Sequence, residues 1–317
     1  MESYRLGRGL RQGDTIAIVA PAAPLAAEAV TGAEQVLRDL GYVSVLGRTV
    51  EESWGYLAGS DELRARDLEW AFADPAVQAI LCLRGGYGTT RFLDLLDYDR
   101  IRANPKLFIG FSDITALHTV FRQRCAMATI HGPMALSLGR EPTAYTLGQF
   151  AAGLQEPVPA GPLQLPPGRQ LEPLVPGTAS GTLCGGNMML LSVTTGTPYA
   201  LDGTDGLLLL EEIGEDAYAL DRMLRQFEQS GLIARAAGIL FGTFHDCMPT
   251  ESGDGEFTVR EVAAYYAERW GKPALWGVPA GHEKDNAWLP FGVPARMEVG
   301  VSEAVLTIEK VKEQRHE

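Results

Sequence analysis

Cysteines and long apolar runs are scarce in this sequence, and each shortage excludes a class of protein. The four cysteines among 317 residues include no C-x-x-C pair, so neither a zinc motif nor a dithiol redox motif is present. Cys82 and Cys184 lie among apolar residues and are predicted to be small core residues. The most apolar early stretch, IAIVAPAAPLAA, contains two prolines, is too short to cross a bilayer and follows no signal region. We therefore expect a soluble cytoplasmic protein without a membrane partner.

Positive charge is also scarce in the chain. There are 27 Lys and Arg residues against 40 Asp and Glu residues, and the formal net charge is -13. This balance disfavours non-specific binding of nucleic acids and of anionic membrane surfaces, and no aromatic and basic array indicates nucleic-acid recognition. The sequence contains no H-E-x-x-H motif, which would have indicated a metal site. We expect no nucleic-acid partner, no metal and no cofactor.

The first half of the chain alternates short apolar runs with helical patterns. Four apolar runs predict strands, each followed by a helical segment: TIAIVA, YVSVL, VQAILCL and KLFIG. Apolar strands separated by helices predict a parallel sheet covered on both faces, with ligand sites at the carboxyl ends of the strands. Two short motifs, R-G-G-Y-G at 84–88 and G-F-S-D at 110–113, fall at such ends.

A segment rich in Pro and Gly, with weak periodicity, separates this half from the rest. We predict an N-terminal domain at residues 1–140, a linker containing one short helix at 141–177, and a C-terminal domain at 178–317. The second half restarts with strand-like runs and ends in two runs predicted to pair: GTLCGG, GLLLLEE, AAGILFG, ARMEVG and AVLTIEK.

Ser112 stands at the corner between an apolar strand and a predicted helix. Serine is a common helix N-cap, and that interpretation is favoured by frequency alone. The alternative is a nucleophile, because a strand-to-helix turn exposes the side chain and points helix N–H groups at a developing oxyanion. The sequence G-F-S-D-I lacks the second glycine of the G-x-S-x-G motif, so spacing alone does not decide.

The glycine loop that follows the third predicted strand contains Gly85, Gly86 and Gly88. It completes neither G-x-G-x-x-G nor a Walker motif, so a nucleotide phosphate loop is disfavoured. Two interpretations remain, a tight turn and a set of inward-facing N–H groups. In the second, the Gly86 N–H would lie beside the Asp113 N–H and hold an oxyanion.

A serine nucleophile needs a base, and the chain has five histidines. His118 follows Ser112 by six residues, about 240° around a helix, and so points away. His316 lies in a polar tail. The other three histidines stand near predicted strand ends, and composition does not choose among them: His131, His245 and His282.

An acid that orients such a base is offered by Glu211 and Glu212, which end the run LLLLEE. Neighbouring residues of a strand face opposite ways, so at most one of the two carboxylates would face the site. The competing interpretation is a charged loop in contact with solvent. The residues alone leave both open.

Several longer stretches, in the same order, resemble the LD-carboxypeptidase family of serine peptidases. They are residues 56–118, IHGPM, CGGNMMLLSVTTGTPY, LLLLEEIGEDAYALDRMLRQF and GHEKDNAWLPFG, within a match from about residue 13 to about residue 298. The resemblance implies an α/β fold with two domains. The N-terminal domain would be a Rossmann-like, glutamine-amidotransferase-like parallel sheet, and the C-terminal domain a smaller, β-rich α+β unit.

The resemblance also implies roles for individual residues. The Ser-Glu-His triad of the family matches Ser112, Glu211 and His282, and its oxyanion-hole amides match Gly86 and Asp113. The second acid of the E-E pair is Asp more often in the family, a departure outside the triad. The glycine loop supplies the substrate-binding candidates: Arg84, Gly85 and Tyr87. No metal or cofactor is implied, and a homodimer is expected.

By this resemblance the chain would be a serine carboxypeptidase that releases terminal D-Ala from cytoplasmic murein tetrapeptides during cell-wall recycling. The terminal carboxylate needs a cation, and the sequence does not choose among four candidates: Arg84, Arg222, Lys284 and Arg296. The alternative is the microcin-immunity branch, which cleaves amide-linked aminoacyl-nucleotide antibiotics and would need an aromatic platform. The linker offers only Tyr145 and Phe150 for one. A non-catalytic peptide-binding protein is the third possibility.

Overall fold

The computed structural model describes residues 4–247 and 257–310, so His316 lies outside the described residues. The first half contains these strands and helices: β1 Thr15–Val19, α1 Ala27–Asp39, β2 Val43–Leu46, α2 Asp61–Ala73, β3 Val77–Cys82, α3 Tyr98–Ala103, β4 Leu107–Gly110, α4 Thr115–Cys125, β5 Thr129–His131, α5 Ala135–Leu138 and α6 Ala144–Gln155. The second half continues with these: β6 Gly161–Pro162, β7 Glu172–Val175, β8 Gly177–Asn187, α7 Met188–Thr194, β9 Gly206–Ile213, α8 Ala217–Gln229, α9 Leu232–Arg235, β10 Gly238–His245, α10 Val259–Trp270, β11 Ala274–Trp276, β12 Leu289–Phe291, β13 Pro294–Val299 and β14 Ala304–Ile308.

Side-chain caps fix where several helices begin. The Ser60 hydroxyl accepts a hydrogen bond from the Leu63 N–H at 3.3 Å at the start of α2. Thr258 and Glu261 form a reciprocal capping box at the start of α10. These are the residue types expected for helix N-termini, because their oxygens satisfy N–H groups that lack an intrahelical partner.

The first sheet has the order β12-β5-β4-β3-β1-β2. Strands β1 to β5 run parallel, and β12, which comes from the second half of the chain, pairs antiparallel with β5. The strand order reverses between β1 and β3, and ligands bind beyond the carboxyl ends of the strands at such a switch point. Fully buried apolar residues fill both faces, among them Ile16, Ile80 and Ile109.

The second sheet has the order β6-β14-β13-β8-β9-β10-β11-β7. Its four central strands, β8 to β11, run parallel, and the flanking strands are antiparallel. The Asn187 N–H at the end of β8 donates to the Thr115 hydroxyl at the start of α4 at 3.0 Å. Two sheets of mixed α/β structure, with parallel strands in each, confirm the expected fold class.

The segment predicted as a linker, 141–177, carries regular structure. It contains α6, in which Phe150 is fully buried, and it supplies β6 and β7 to opposite edges of the second sheet. The boundaries at 1–140, 141–177 and 178–317 stay a prediction. Among the described residues, no helix is long and apolar enough to cross a membrane.

Candidate active site

Ser112 occupies a sharp corner at the carboxyl end of β4. Its φ is +65°, a left-handed conformation that costs a non-glycine residue about 1 kcal/mol or more. A short 3-10 turn begins at Ser112 and leads into α4, and neither that turn nor α4 has a side-chain cap. The serine is therefore not a helix cap. Its hydroxyl instead forms a hydrogen bond of 2.9 Å with Nε2 of His282.

His282 and Glu211 continue this chain of hydrogen bonds. Nδ1 of His282 lies 2.9 Å from Oε2 of Glu211, which is fully buried on β9. The imidazole is also packed edge-on against the Phe111 ring, with centroids 5.0 Å apart. Gly281 allows this approach, since a Cβ there would stand 2.7 Å from Oε2 of Glu211. The structure thus brings Ser112, His282 and Glu211 into one hydrogen-bonded series.

The other histidines lie elsewhere. His131 ends β5 and is fully buried, and burial holds the pKa of its imidazole well below the usual range. His245 ends β10, with a side chain that is 44% exposed. His118 is buried and contacts the Gly110 carbonyl at 2.9 Å, and burial lowers its pKa to about 4. The expectation of a strand-end position is wrong for His282, which lies in the loop between β11 and β12.

Glu212 faces the opposite side of β9 from Glu211. It is 2% exposed, so the interpretation of the two acids as a charged loop in solvent is wrong. Its carboxylate accepts hydrogen bonds from the side-chain amide of Asn187 and the N–H of Met189, both at 2.7 Å. Burial raises the pKa of Glu212 to about 7. The carboxylate therefore joins β9 to the start of α7.

Glu212 should make the folded state less stable as the pH rises. Burial raises its pKa from 4.5 to about 7, so within this interval the folded state retains a proton that the unfolded chain has lost. The contribution of the protonated Glu212 to the free energy of unfolding is complete below pH 4.5. It falls at 1.36 kcal/mol per pH unit, by up to about 3 kcal/mol in total, as the pH rises to 7. Above pH 7 it is absent. Denaturant unfolding at pH 4.5 and pH 7.5 should show this loss in the wild type and not in Glu212→Gln. The same pH dependence in both proteins would contradict it.

The glycine loop lies directly against the serine. A Cβ at Gly85 would stand 2.7 Å from Ser112 Oγ and 3.3 Å from the backbone nitrogen of Asp113. Gly86 has a φ of +121°, and a Cβ there would meet the side chain of Ala23 at 2.7 Å. The first N–H groups of a helical turn lack intrahelical partners, which leaves the Asp113 N–H available. The two amides predicted as an oxyanion hole therefore belong to segments that touch at Ser112.

The Asp113 carboxylate points away from the serine. Its Oδ2 accepts a hydrogen bond from the Thr89 N–H at 2.9 Å, and the Thr89 hydroxyl donates to the Asp113 carbonyl at 2.7 Å. Burial raises the pKa of this carboxyl group. The side chain holds the glycine loop against the start of α4 and leaves only the backbone of Asp113 for the site.

The four candidate cations have different surroundings. Arg84 immediately precedes Gly85 and is half-buried, with its Nε enclosed and without a hydrogen-bond partner among the described residues. Arg222 lies over an exposed tyrosine ring of its own helix, 5.5 Å from the centroid. Arg296 is exposed and pairs with a glutamate on the same strand at 3.0 Å. Lys284 shares a loop with the catalytic-candidate histidine. Arg84 alone of these is continuous with the glycine loop.

The two linker aromatics are not available as an open platform. Phe150 is fully buried and Tyr145 is partly buried, so neither forms the aromatic surface that the microcin-immunity alternative would need. Three exposed aromatic residues lie around the glycine loop: Tyr87, already a substrate-binding candidate, and Trp54 and Tyr56, which no sequence motif had singled out. The motif W-G-Y could have drawn attention to Trp54 and Tyr56, because its glycine marks a turn.

Comparison with known proteins decides the family. Models of the LD-carboxypeptidase N-terminal domain and C-terminal domain match residues 16–132 and 180–297. The chain belongs to the LD-carboxypeptidase family. It is a serine-type carboxypeptidase, a hydrolase of peptides, and the resemblance inferred from the motifs is confirmed.

Individual relatives cover nearly the whole of this LD-carboxypeptidase. The probable murein peptide carboxypeptidase of Bacillus subtilis is 38% identical over 310 residues, 94% of this chain and 96% of its own. The muramoyltetrapeptide carboxypeptidase of Oxalobacter formigenes is 28% identical with a TM-score of 0.83, covering 94% and 100%. An MccF-like protein from Bacillus anthracis is 28% identical with a TM-score of 0.84, covering 97% and 100%.

Proposed function

We propose that the enzyme removes the terminal D-Ala from murein tetrapeptides, as one step of cell-wall recycling in the cytoplasm, and that it acts as a homodimer. The observation that carries the reaction is the hydrogen-bonded series from Ser112 through His282 to the buried Glu211, with two links of 2.9 Å. The names of the Bacillus subtilis and Oxalobacter formigenes relatives support a murein peptide as the substrate.

The geometry supports acyl transfer through the serine. Nε2 of His282 takes the proton of the Ser112 hydroxyl while Oγ attacks the carbonyl carbon that precedes D-Ala. Glu211 accepts the Nδ1 proton in a hydrogen bond, which fixes the tautomer and stabilises the imidazolium. Collapse of the intermediate breaks the C–N bond, and the imidazolium returns its proton to the leaving amine of D-Ala. Water then repeats the sequence on the ester and restores the serine hydroxyl.

The Gly86 and Asp113 N–H groups hold the oxyanion in this proposal. A Cβ on Gly85 would come within 2.7 Å of Ser112 Oγ and 3.3 Å of the Asp113 nitrogen, so the two segments already touch where the intermediate forms. Donors fixed in place stabilise charge without reorganising during the reaction. The glycine loop and the start of α4 therefore form one oxyanion hole in this proposal.

Arg84 is the cation proposed for the terminal carboxylate of the substrate. It adjoins the glycine loop, and its enclosed Nε has no hydrogen-bond partner among the described residues. An enclosed guanidinium N–H without a partner is costly, and a substrate carboxylate would satisfy it with a charge-assisted hydrogen bond. Tyr87, in the same loop, would contact the substrate upstream of the cleaved bond.

Mass spectrometry of a single incubation tests the function. Purified enzyme is mixed with L-Ala-γ-D-Glu-meso-diaminopimelate-D-Ala in the presence of EDTA. We expect one D-Ala to be released in the presence of EDTA, because the proposed mechanism assigns every step to Ser112, His282, Glu211 and the backbone amides. An aminoacyl sulfamoyl adenosine is assayed in parallel, because the MccF-like structure fits the microcin-immunity alternative. Cleavage of the nucleotide analogue alone would replace the murein proposal with that alternative.

Replacing Gly85 with alanine should lower kcat/KM roughly 100-fold. The new Cβ would stand 2.7 Å from Ser112 Oγ and 2.8 Å from its Cβ, so the serine must move, and a shift of about 1 Å costs about that factor. Gly148→Ala on α6 is the control, because nothing lies within 4 Å of its Cβ position. It should keep full activity and gain about 0.5–1 kcal/mol of stability. Steady-state kinetics check both, and a fully active Gly85→Ala enzyme would refute the close contact.

A further inference from the structure

Three large aromatic side chains stand exposed beside the glycine loop, outside the hydrogen-bonded series of Ser112. Trp54, Tyr56 and Tyr87 are 56%, 66% and 48% exposed. The Tyr56 and Tyr87 rings have centroids 5.8 Å apart and are tilted by 58°, and the Arg91 guanidinium lies 5.9 Å from the centroid of the Trp54 ring. We call these four residues the aromatic platform. Clustered aromatic exposure of this kind marks binding surfaces.

Backbone hydrogen bonds and packing hold the turn that carries Trp54 and Tyr56. Two backbone hydrogen bonds of 2.8 and 3.1 Å join Trp54 and Leu57 across Gly55, whose φ is +62°. Leu57 is buried, and the next residue, Ala58, donates its N–H to the Ala22 carbonyl at 2.9 Å. A surface fixed in this way loses little conformational entropy when a ligand binds.

The same network ties the platform to the glycine loop. The buried Arg64 donates to the carbonyls of Pro21 and Gly88, both at 2.8 Å, and pairs with Asp61. Asp61 also holds Arg91 in a two-point ion pair, with contacts of 2.9 Å. The cation of the platform and the loop beside the nucleophile are therefore parts of one connected structure.

The spacing suits a group upstream of the cleaved bond. Gly85 touches Ser112, and Tyr87 follows it by two residues, a reach of at most roughly 7 Å of chain before the ring begins. In a murein tetrapeptide the attacked carbonyl belongs to the third residue. A group attached before the first residue would lie roughly 12 Å away along an extended chain, because the γ-linked D-Glu lengthens the path. The platform is within that range.

We propose that the aromatic platform is a subsite for the N-acetylated amino-sugar ring that a muropeptide carries upstream of its peptide. This rests on the proposed function, and it makes glycan-bearing tetrapeptides the preferred substrates. The C–H face of a pyranose packs on an open aromatic face, and the Arg91 N–H groups can donate to its oxygens. A nucleobase sandwiched between Tyr56 and Tyr87 would need parallel ring faces, whereas these rings are tilted by 58°.

Kinetics on two substrates test the subsite. The wild type, Tyr56→Ala and Trp54→Ala are assayed with the free tetrapeptide and with the same peptide bearing the N-acetylglucosamine–anhydro-N-acetylmuramic acid disaccharide. We expect the wild type to favour the disaccharide substrate about 3- to 10-fold in kcat/KM, since an exposed aromatic face adds a modest favourable contact. Each variant should lose several-fold more activity on the disaccharide substrate than on the free peptide. No preference in the wild type, or equal losses on both substrates, would overturn the subsite.

Tyr265→Ala is the matched control. Tyr265 on α10 is 59% exposed and contacts a neighbouring tyrosine ring with centroids 5.3 Å apart, much as Tyr56 does. It should leave both rates and their ratio unchanged. A control that also shifts the ratio would remove the support for a local effect at the platform.

Binding without cleavage separates this inference from the proposed function. Saturation-transfer NMR with the free disaccharide should give signals with the wild type and Tyr265→Ala, and weaker signals with Tyr56→Ala. This result would support the subsite even if the tetrapeptide were not cleaved, which would count only against the proposed function. No disaccharide signal with the wild type, or a Tyr56-dependent signal from adenosine monophosphate in its place, would overturn the subsite.

Discussion

Ser112→Ala should abolish release of D-Ala, lowering kcat by at least about 1,000-fold. The hydroxyl is the only group of the proposed mechanism that forms the ester, and loss of such a group leaves only the contribution of binding and of the oxyanion donors. The φ of +65° is kept by alanine at similar cost, so folding should be retained. Mass spectrometry of product release measures the loss, and thermal unfolding verifies the fold.

Ser60→Ala provides the matched control for this substitution. The Ser60 hydroxyl accepts the Leu63 N–H at 3.3 Å and is a true helix cap. Its removal should cost about 1 kcal/mol of stability and leave kcat unchanged. The two substitutions therefore distinguish a helix cap, whose loss lowers stability, from a nucleophile, whose loss lowers kcat. Substantial activity in Ser112→Ala, or a stability loss like that of Ser60→Ala without loss of activity, would refute the nucleophile.

Glu211→Gln should lower kcat by roughly 1,000- to 10,000-fold with little change in KM. The amide keeps the volume of the buried side chain but carries no charge to stabilise the imidazolium, and it can hold His282 in the wrong tautomer. The affected contact is the 2.9 Å hydrogen bond between Oε2 and Nδ1. Steady-state kinetics with the tetrapeptide separate kcat from KM.

Glu212→Gln tests whether this effect belongs to one carboxylate. Glu212 is as deeply buried as its neighbour but binds Asn187 and the Met189 N–H on the other side of β9. Its substitution should change stability and its pH dependence, and should leave kcat within a few-fold of the wild type. Equal kinetic losses in the two variants would contradict the assignment of Glu211 as the residue that orients the histidine.

Local sequence patterns already indicated much of the fold. Apolar runs alternating with helical patterns predicted the parallel first sheet, because strands buried on both faces need apolar residues at every position. Side-chain caps such as Ser60 and Thr258 begin helices for similarly local reasons. The ordered motifs indicated the LD-carboxypeptidase family. The segment at 141–177 was harder to predict, because β6 and β7 are strands only through pairing with β14 and β11, which are distant in sequence.

The class of fold, the family and a short set of candidate residues follow from the sequence alone, since these depend on local periodicity and on motif order. The tertiary structure shows the contact that the family motifs implied: His282, and neither His131 nor His245, forms a hydrogen bond with Ser112, across 170 residues of chain. That contact depends on how the second sheet meets α4. The clustering of the aromatic platform likewise follows only from the tertiary structure. Such distances are set by packing between elements remote in the chain, which no local pattern encodes.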